Sequence, residues 1–82
     1  MNKRDIEILK ANWELKRELL KNSQYKESMD ISSSCYVDFG TCGIAVWKYI
    51  KGKWNRKIIN HWRELNFNQF MEKFNNQEWE TA

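Results

Sequence analysis

The chain has 82 residues, 41% hydrophobic and 15% aromatic, with a net charge of +3; this length holds one small domain and excludes a second. No apolar run approaches the length of a membrane span, and the total charge is too small to point to a nucleic-acid partner by itself. Five tryptophans are many for this size, and since each can bury about 150–250 Å², aromatic mass either substitutes for core volume or is reserved for a partner.

The first residues, MNKRDIEIL, contain no apolar signal region, so a cytoplasmic protein is expected. Residues 3–22 predict a helix. On its wheel Ile6, Leu9, Trp13 and Leu20 form one apolar stripe, and Ile8, Leu15 and Leu19 form a second about 120° away. Either both stripes sink into a groove between a sheet and another helix, or the second meets a partner helix or another copy of the chain, the latter a homodimer through this helix. Glu7, Glu14 and Glu18 alternate with Lys3, Lys10, Arg17 and Lys21 on the remaining, solvated arc.

Residues 23–33 read as a linker, because their serines and aspartate favour turns over continued helix. A strand follows over residues 34–39, with Cys35, Val37 and Phe39 alternating against Tyr36 and Asp38. A turn at Gly40-Thr41 would set Val37 opposite Ile44 and Cys35 opposite Val46. Both cysteines then lie on an aliphatic face, too far apart for a disulfide, as buried structural thiols in a reducing compartment.

Residues 43–62, GIAVWKYIKGKWNRKIINHW, predict a hairpin turning at Lys51-Gly52. In that register Ile50 faces Lys53, Tyr49 faces Trp54, Trp47 faces Arg56, Ala45 faces Ile58 and Ile44 faces Ile59. Alternation then places Ala45, Trp47, Tyr49, Trp54, Arg56, Ile58 and Trp62 on one face, joined by Tyr36. Ile44, Val46, Ile50 and Ile59 take the other, and His61 points the same way. Six basic residues and no acid fall in residues 39–63, so the positive charge concentrates on this hairpin.

Beyond it, Asn66 and Gln69 form a capping box before Phe67, Phe70, Met71 and Phe74 at helical spacing, predicting a second helix over residues 66–75. Residues 76–82 are a tail in which only Trp79 is worth ordering. The expected fold class is α+β, in the order α-β-β-β-α: a three-stranded antiparallel meander over residues 34–62, with both helices mainly on its aliphatic face.

Catalytic signatures are lacking. His61 is the only histidine and has no specified nucleophile or acid beside it. Cys35, Cys42 and one distant histidine do not match a zinc spacing, and the three glycines occupy turns or strand starts. No enzyme, cofactor or metal site is therefore expected. The feature above background is the aromatic face, with three uses. Either its rings pack on one another or under the first helix, or Trp47, Tyr49 and Trp54 anchor a protein partner, or the rings stack on a nucleic acid. In the partner readings Arg56, Lys48, Lys51, Lys53 and Lys57 supply steering or phosphate contacts.

The α-β-β-β-α order resembles the double-stranded RNA-binding domain over most of the chain. That family carries a lysine cluster at the start of its last helix, where this sequence reads Glu64-Leu65-Asn66-Phe67. The same order is similar to some small anti-CRISPR proteins of phages, which implies inhibition of a nuclease by covering its nucleic-acid-binding surface. Small size, absence of proline and richness in Lys, Asn and Ile fit a phage or mobile-element product. The expected function is a non-enzymatic module that binds and modulates a host or defence protein through the hairpin. The alternative is a nucleic-acid-binding accessory domain using the same residues.

Overall fold

The computed structural model describes residues 1–19 and 27–81. Its elements are α1 (Lys3–Leu19), β1 (Glu27–Ser32), β2 (Cys35–Phe39), β3 (Gly43–Ile50), β4 (Lys53–Asn60), a 3₁₀ turn at Trp62–Glu64, α2 (Phe67–Asn76) and β5 (Glu80–Thr81). The strands form one antiparallel sheet in the order β1-β2-β3-β4-β5. The class is α+β as expected, but the sheet has five strands. The expected helical residues 20–22, including Leu20, the linker residues 23–26 and residue 82 lie outside the described residues.

The additional strands sit at the two edges. Residues 27–32 are the edge strand β1, where Met29 and Ile31 turn inward between Ser28, Asp30 and Ser32. That is a period-two pattern which the serines obscured. The tail contributes β5, held to β4 by Asn55↔Thr81 and Arg56↔Glu80. With five strands the order is no longer α-β-β-β-α, and the topological resemblance to the double-stranded RNA-binding domain ends there.

The β3–β4 hairpin has the expected register, from Ile50↔Lys53 to Ile44↔Ile59. Lys51 (φ 50°) and Gly52 (φ 82°) both adopt the left-handed conformation that a two-residue hairpin turn requires. Between β2 and β3 the expected register is displaced by two residues: Val37 pairs with Val46 and Cys35 with Lys48. The connection is wider than Gly40-Thr41, with Gly40 N–H donating to the Gly43 carbonyl at 2.9 Å. Because the displacement is even, no side chain changes face.

Both helices cover the aliphatic face. At the start of α1 the Asn2 side chain accepts from the Asp5 N–H at 2.8 Å. Lys16 pairs with Glu27 across to β1, and Arg17 Nε donates to the Arg63 carbonyl at 2.9 Å. The predicted capping box of α2 is present, with Asn66 and Gln69 each accepting the other's backbone N–H. Between helices and sheet, Leu9, Trp13, Val37, Phe39, Ile44, Val46, Trp62 and Phe70 are completely buried. Trp13 is central to them, with ring centroids 4.9 Å from Trp62 and 4.5 Å from Phe70.

Trp62 therefore belongs to the core and not to the aromatic face. His61 takes φ 59°, which breaks the strand's alternation; Trp62 swings under the sheet and donates from Nε1 to the Gly40 carbonyl at 2.7 Å. His61 itself is exposed instead of facing the aliphatic side. In α1 the first stripe is inward at Leu9 and Trp13. Of the second, Ile8 leans on the core while Leu15 and Leu19 are 57% and 49% exposed.

Cys35 is buried as expected, whereas Cys42 lies exposed in the β2–β3 connection; both are free thiols. Burial, with Asp5 adding, pushes the Cys35 thiol up. A thiol-reactive disulfide reagent should label Cys42 rapidly in the native protein and Cys35 only on unfolding. Since Cys35 keeps its proton to higher pH folded than unfolded, its contribution to stability is complete below the ordinary thiol pKa of about 8.5 and declines above it. Urea titrations should show this decline in the wild type and a shallower one in Cys35→Ala; equal slopes would contradict it.

Candidate functional site

The side of the sheet away from the helices is built by register. One cross-strand row runs over all five strands: Asp30, Tyr36, Trp47, Arg56 and Glu80 are successive partners. Tyr36 and Trp47 stack at 5.7 Å with planes 10° apart, the Arg56 guanidinium lies 5.6 Å from the Trp47 ring centroid, and Arg56 pairs with Glu80 at 3.7 Å. Toward the Lys51-Gly52 turn, the next row is Tyr49 and Trp54, whose rings meet edge to face at 5.4 Å. Trp54 also reaches Tyr36 at 5.1 Å, so four rings form one contiguous patch. Tyr49 is 47% exposed and Trp54 36%.

On the other side of the central row stand Ser28, Asp38, Ala45 and Ile58. The small side chain of Ala45 leaves a trough of about 520 Å³, bounded by Asp38, Trp47, Arg56, Ile58 and the β2–β3 connection. Asp38 accepts from Trp47 Nε1 at 3.1 Å and from the Ser28 hydroxyl. Loss of solvation, with the Asp38 carboxylate adding, pushes the Tyr36 phenol above its usual range.

Of the expected partner-binding residues, Trp47, Tyr49, Trp54 and Arg56 are brought together on this face. Lys51 and Lys53 are exposed at the hairpin tip. Lys48 and Lys57 are not part of the face, because their even offset from Ile44, or from its partner Ile59, directs them to the covered side. Lys48 is half-buried and, after burial itself, helps hold the Met1 amino group below its ordinary value. Lys57 is buried: its Nζ donates to the Phe74 carbonyl in the last turn of α2 at 2.8 Å and lies 4.1 Å and 4.9 Å from the Phe74 and Trp79 ring centroids. Burial lowers its pKa. Sequence reasoning placed Tyr36 on this face but not in the site, and missed Asp30, Asp38 and Glu80. Alternation in β1 and β2 carries the first two; no periodicity marks Glu80.

A second cleft, of about 480 Å³, is lined by Glu14, Arg17, Glu18, Cys42, His61 and Glu64 among others. Cys42 and His61 are joined there by a backbone bond, His61 N–H to the Cys42 carbonyl at 2.7 Å. Among the described residues no three His, Cys, Asp or Glu side chains converge as a metal site. Among the described residues no helix is long and apolar enough to cross a membrane. No protein-family model, curated protein or solved structure matches the chain.

The difference between the buried lysine and those exposed at the hairpin tip is measurable. Lys57→Ala removes a buried donor from a helix-terminal carbonyl and should cost about 1–3 kcal/mol, whereas Lys51→Ala and Lys53→Ala should each stay within about 0.5 kcal/mol. Equal melting curves for all three variants would contradict this placement.

Proposed function

We propose that this protein is a non-enzymatic interaction module that binds a protein partner through the open face of its sheet. The observation that carries the reading is the patch of Tyr36, Trp47, Tyr49 and Trp54, which neither helix covers and from which Tyr49 and Trp54 project into solvent. Aromatic rings with an adjacent arginine are the side chains that dominate binding energy at protein interfaces. Contiguous exposed apolar surface of this kind marks interaction sites.

The nucleic-acid reading loses support from the distribution of charge. Lys48 and Lys57 face away from the rings, Arg56 is paired with Glu80, and Asp30 and Asp38 share the face. Lys53, paired with Ile50, shares the parity of Lys48 and Lys57, so two cations at most, Lys51 and Arg56, remain for phosphates, a salt slope of about −2. Modulation of a host or defence protein by a phage or mobile-element product is the setting we propose, on size and composition. A homodimer through α1 is a second proposed contact, favoured by the exposure of Leu15 and Leu19.

Trp54→Ala should keep the fold and abolish capture of a partner from nuclease-treated lysate, a loss of about 2 kcal/mol or more, while Lys51→Ala with Lys53→Ala only weakens it. Capture that needs nucleic acid, or an unfolded Trp54→Ala, defeats the protein-binding reading. For α1, sedimentation should show concentration-dependent association that Leu15→Glu removes without unfolding; a monomer at high concentration eliminates that contact.

A further inference from the structure

We infer that the occupant of the open face is an extended protein segment presenting arginine or lysine side chains at alternate positions. This rests on the protein-binding reading and adds the chemistry of the partner. Three carboxylates, Asp30, Asp38 and Glu80, share the face with one guanidinium, Arg56. Arg56 is already engaged by the Trp47 ring and by Glu80. Among the described residues neither Asp30 nor Asp38 has a cationic partner. Away from the Lys51-Gly52 turn, the unneutralised charge of this aromatic surface is therefore negative.

Placement makes this charge specific. Asp30 lies opposite Tyr36, and Asp38 is two residues along β2 from Tyr36, so the two carboxylates are diagonal neighbours on one face. Diagonal neighbours stand about 7–8 Å apart. An extended chain rises about 3.3 Å per residue, so its side chains at i and i+2 are about 7 Å apart and can meet both carboxylates together.

The trough beside Asp38 suits a long basic side chain. Ala45, Ile58 and Trp47 line it with apolar surface for the methylene stem, and the Asp38 carboxylate stands at its wall for the charged head. Each Asp38 oxygen accepts one internal hydrogen bond and retains capacity for another. The adjoining ring faces attract a cation by their quadrupole and offer nothing comparable to an anion. A phosphate in the same place would meet the Asp38 carboxylate, and the one guanidinium lining the trough, Arg56, is already paired with Glu80.

The test is a titration of isotope-labelled protein, followed by the indole N–H signals of Trp47 and Trp54. Three probes are used: an end-blocked Gly-Arg-Val-Arg-Gly peptide, its Glu counterpart, and a short oligothymidylate. The Arg peptide should shift both indole signals, and Asp30→Asn with Asp38→Asn should weaken it about fivefold or more. The Glu peptide and the oligonucleotide should leave the signals in place. Asn at position 38 keeps an acceptor for Trp47; if the double variant loosens the fold, Asp30→Asn alone, at an exposed position, should still weaken binding about twofold.

Tighter response to the oligonucleotide, or an Arg peptide indifferent to these substitutions, overturns the inference. So does broadening with protein concentration alone that Lys51→Glu abolishes, since the occupant would then be the lysine tip of a second copy. If Trp54→Ala loses lysate capture while the double variant retains it, the cationic occupant fails and the protein-binding face stands.

Discussion

The two-residue turn at Lys51-Gly52 is the constraint on which the rest depends. Both residues sit at positive φ, which gives the connection the twist of its flanking strands and leaves one register for β3 against β4. A lysine in the left-handed region costs about 1–2 kcal/mol, which the eight-pair ladder behind it offsets. Slippage of β4 by one residue would carry Ile59 into solvent and turn Trp54 and Arg56 toward the core. The covered face, the open face and the sorting of charge between them follow from this single alignment.

Why one face stays open is a question of where the bulky core residues come from. Trp13 enters from α1, Phe70 from α2 and Trp62 from the 3₁₀ turn, and all converge on the aliphatic side of β2 and β3. The left-handed His61 backbone makes this possible, because continued alternation would have left Trp62 among the open-face aromatics. Its indole is then anchored to the Gly40 carbonyl, tying the end of β4 to the β2–β3 connection. With both helices engaged on this side, no described element is left to cover the other. Its rings pack laterally on one another instead.

Much of this arrangement was legible from period alone. The hairpin register, both helices, the capping box and the division into aliphatic and aromatic faces all follow from alternation or helical spacing among neighbouring residues. The two edge strands were hidden for different reasons. In β1 the alternation of Met29 and Ile31 is real but short, and its serines carry the signal of a loop. In β5 two residues cannot display a period; the adjacent Trp79 packs on Phe74 and near the Lys57 ammonium, which are tertiary contacts. The left-handed turn at His61 has no clear local signature either, since a lone histidine, though commoner than most side chains at positive φ, does not mark one.

Charge was the property most easily misread, because composition counts a segment and alternation divides it. Residues 39–63 hold six cations and no acid, yet only Arg56 stands among the rings. Lys57 secures the end of α2 from below the sheet, and Lys48 lies on the same covered side. Meanwhile Asp30, Asp38 and Glu80 arrive on the open face from three other strands, two of them at the sheet's edges. Away from its Lys51-Gly52 tip, a basic hairpin thus belongs to a surface whose unpaired charge is acidic. Net charge governs long-range approach, but at contact the nearest groups decide, since screening confines exposed charges to about 8–10 Å. A partner docking on these rings meets Asp30 and Asp38 within that distance, and Lys57 only through the sheet.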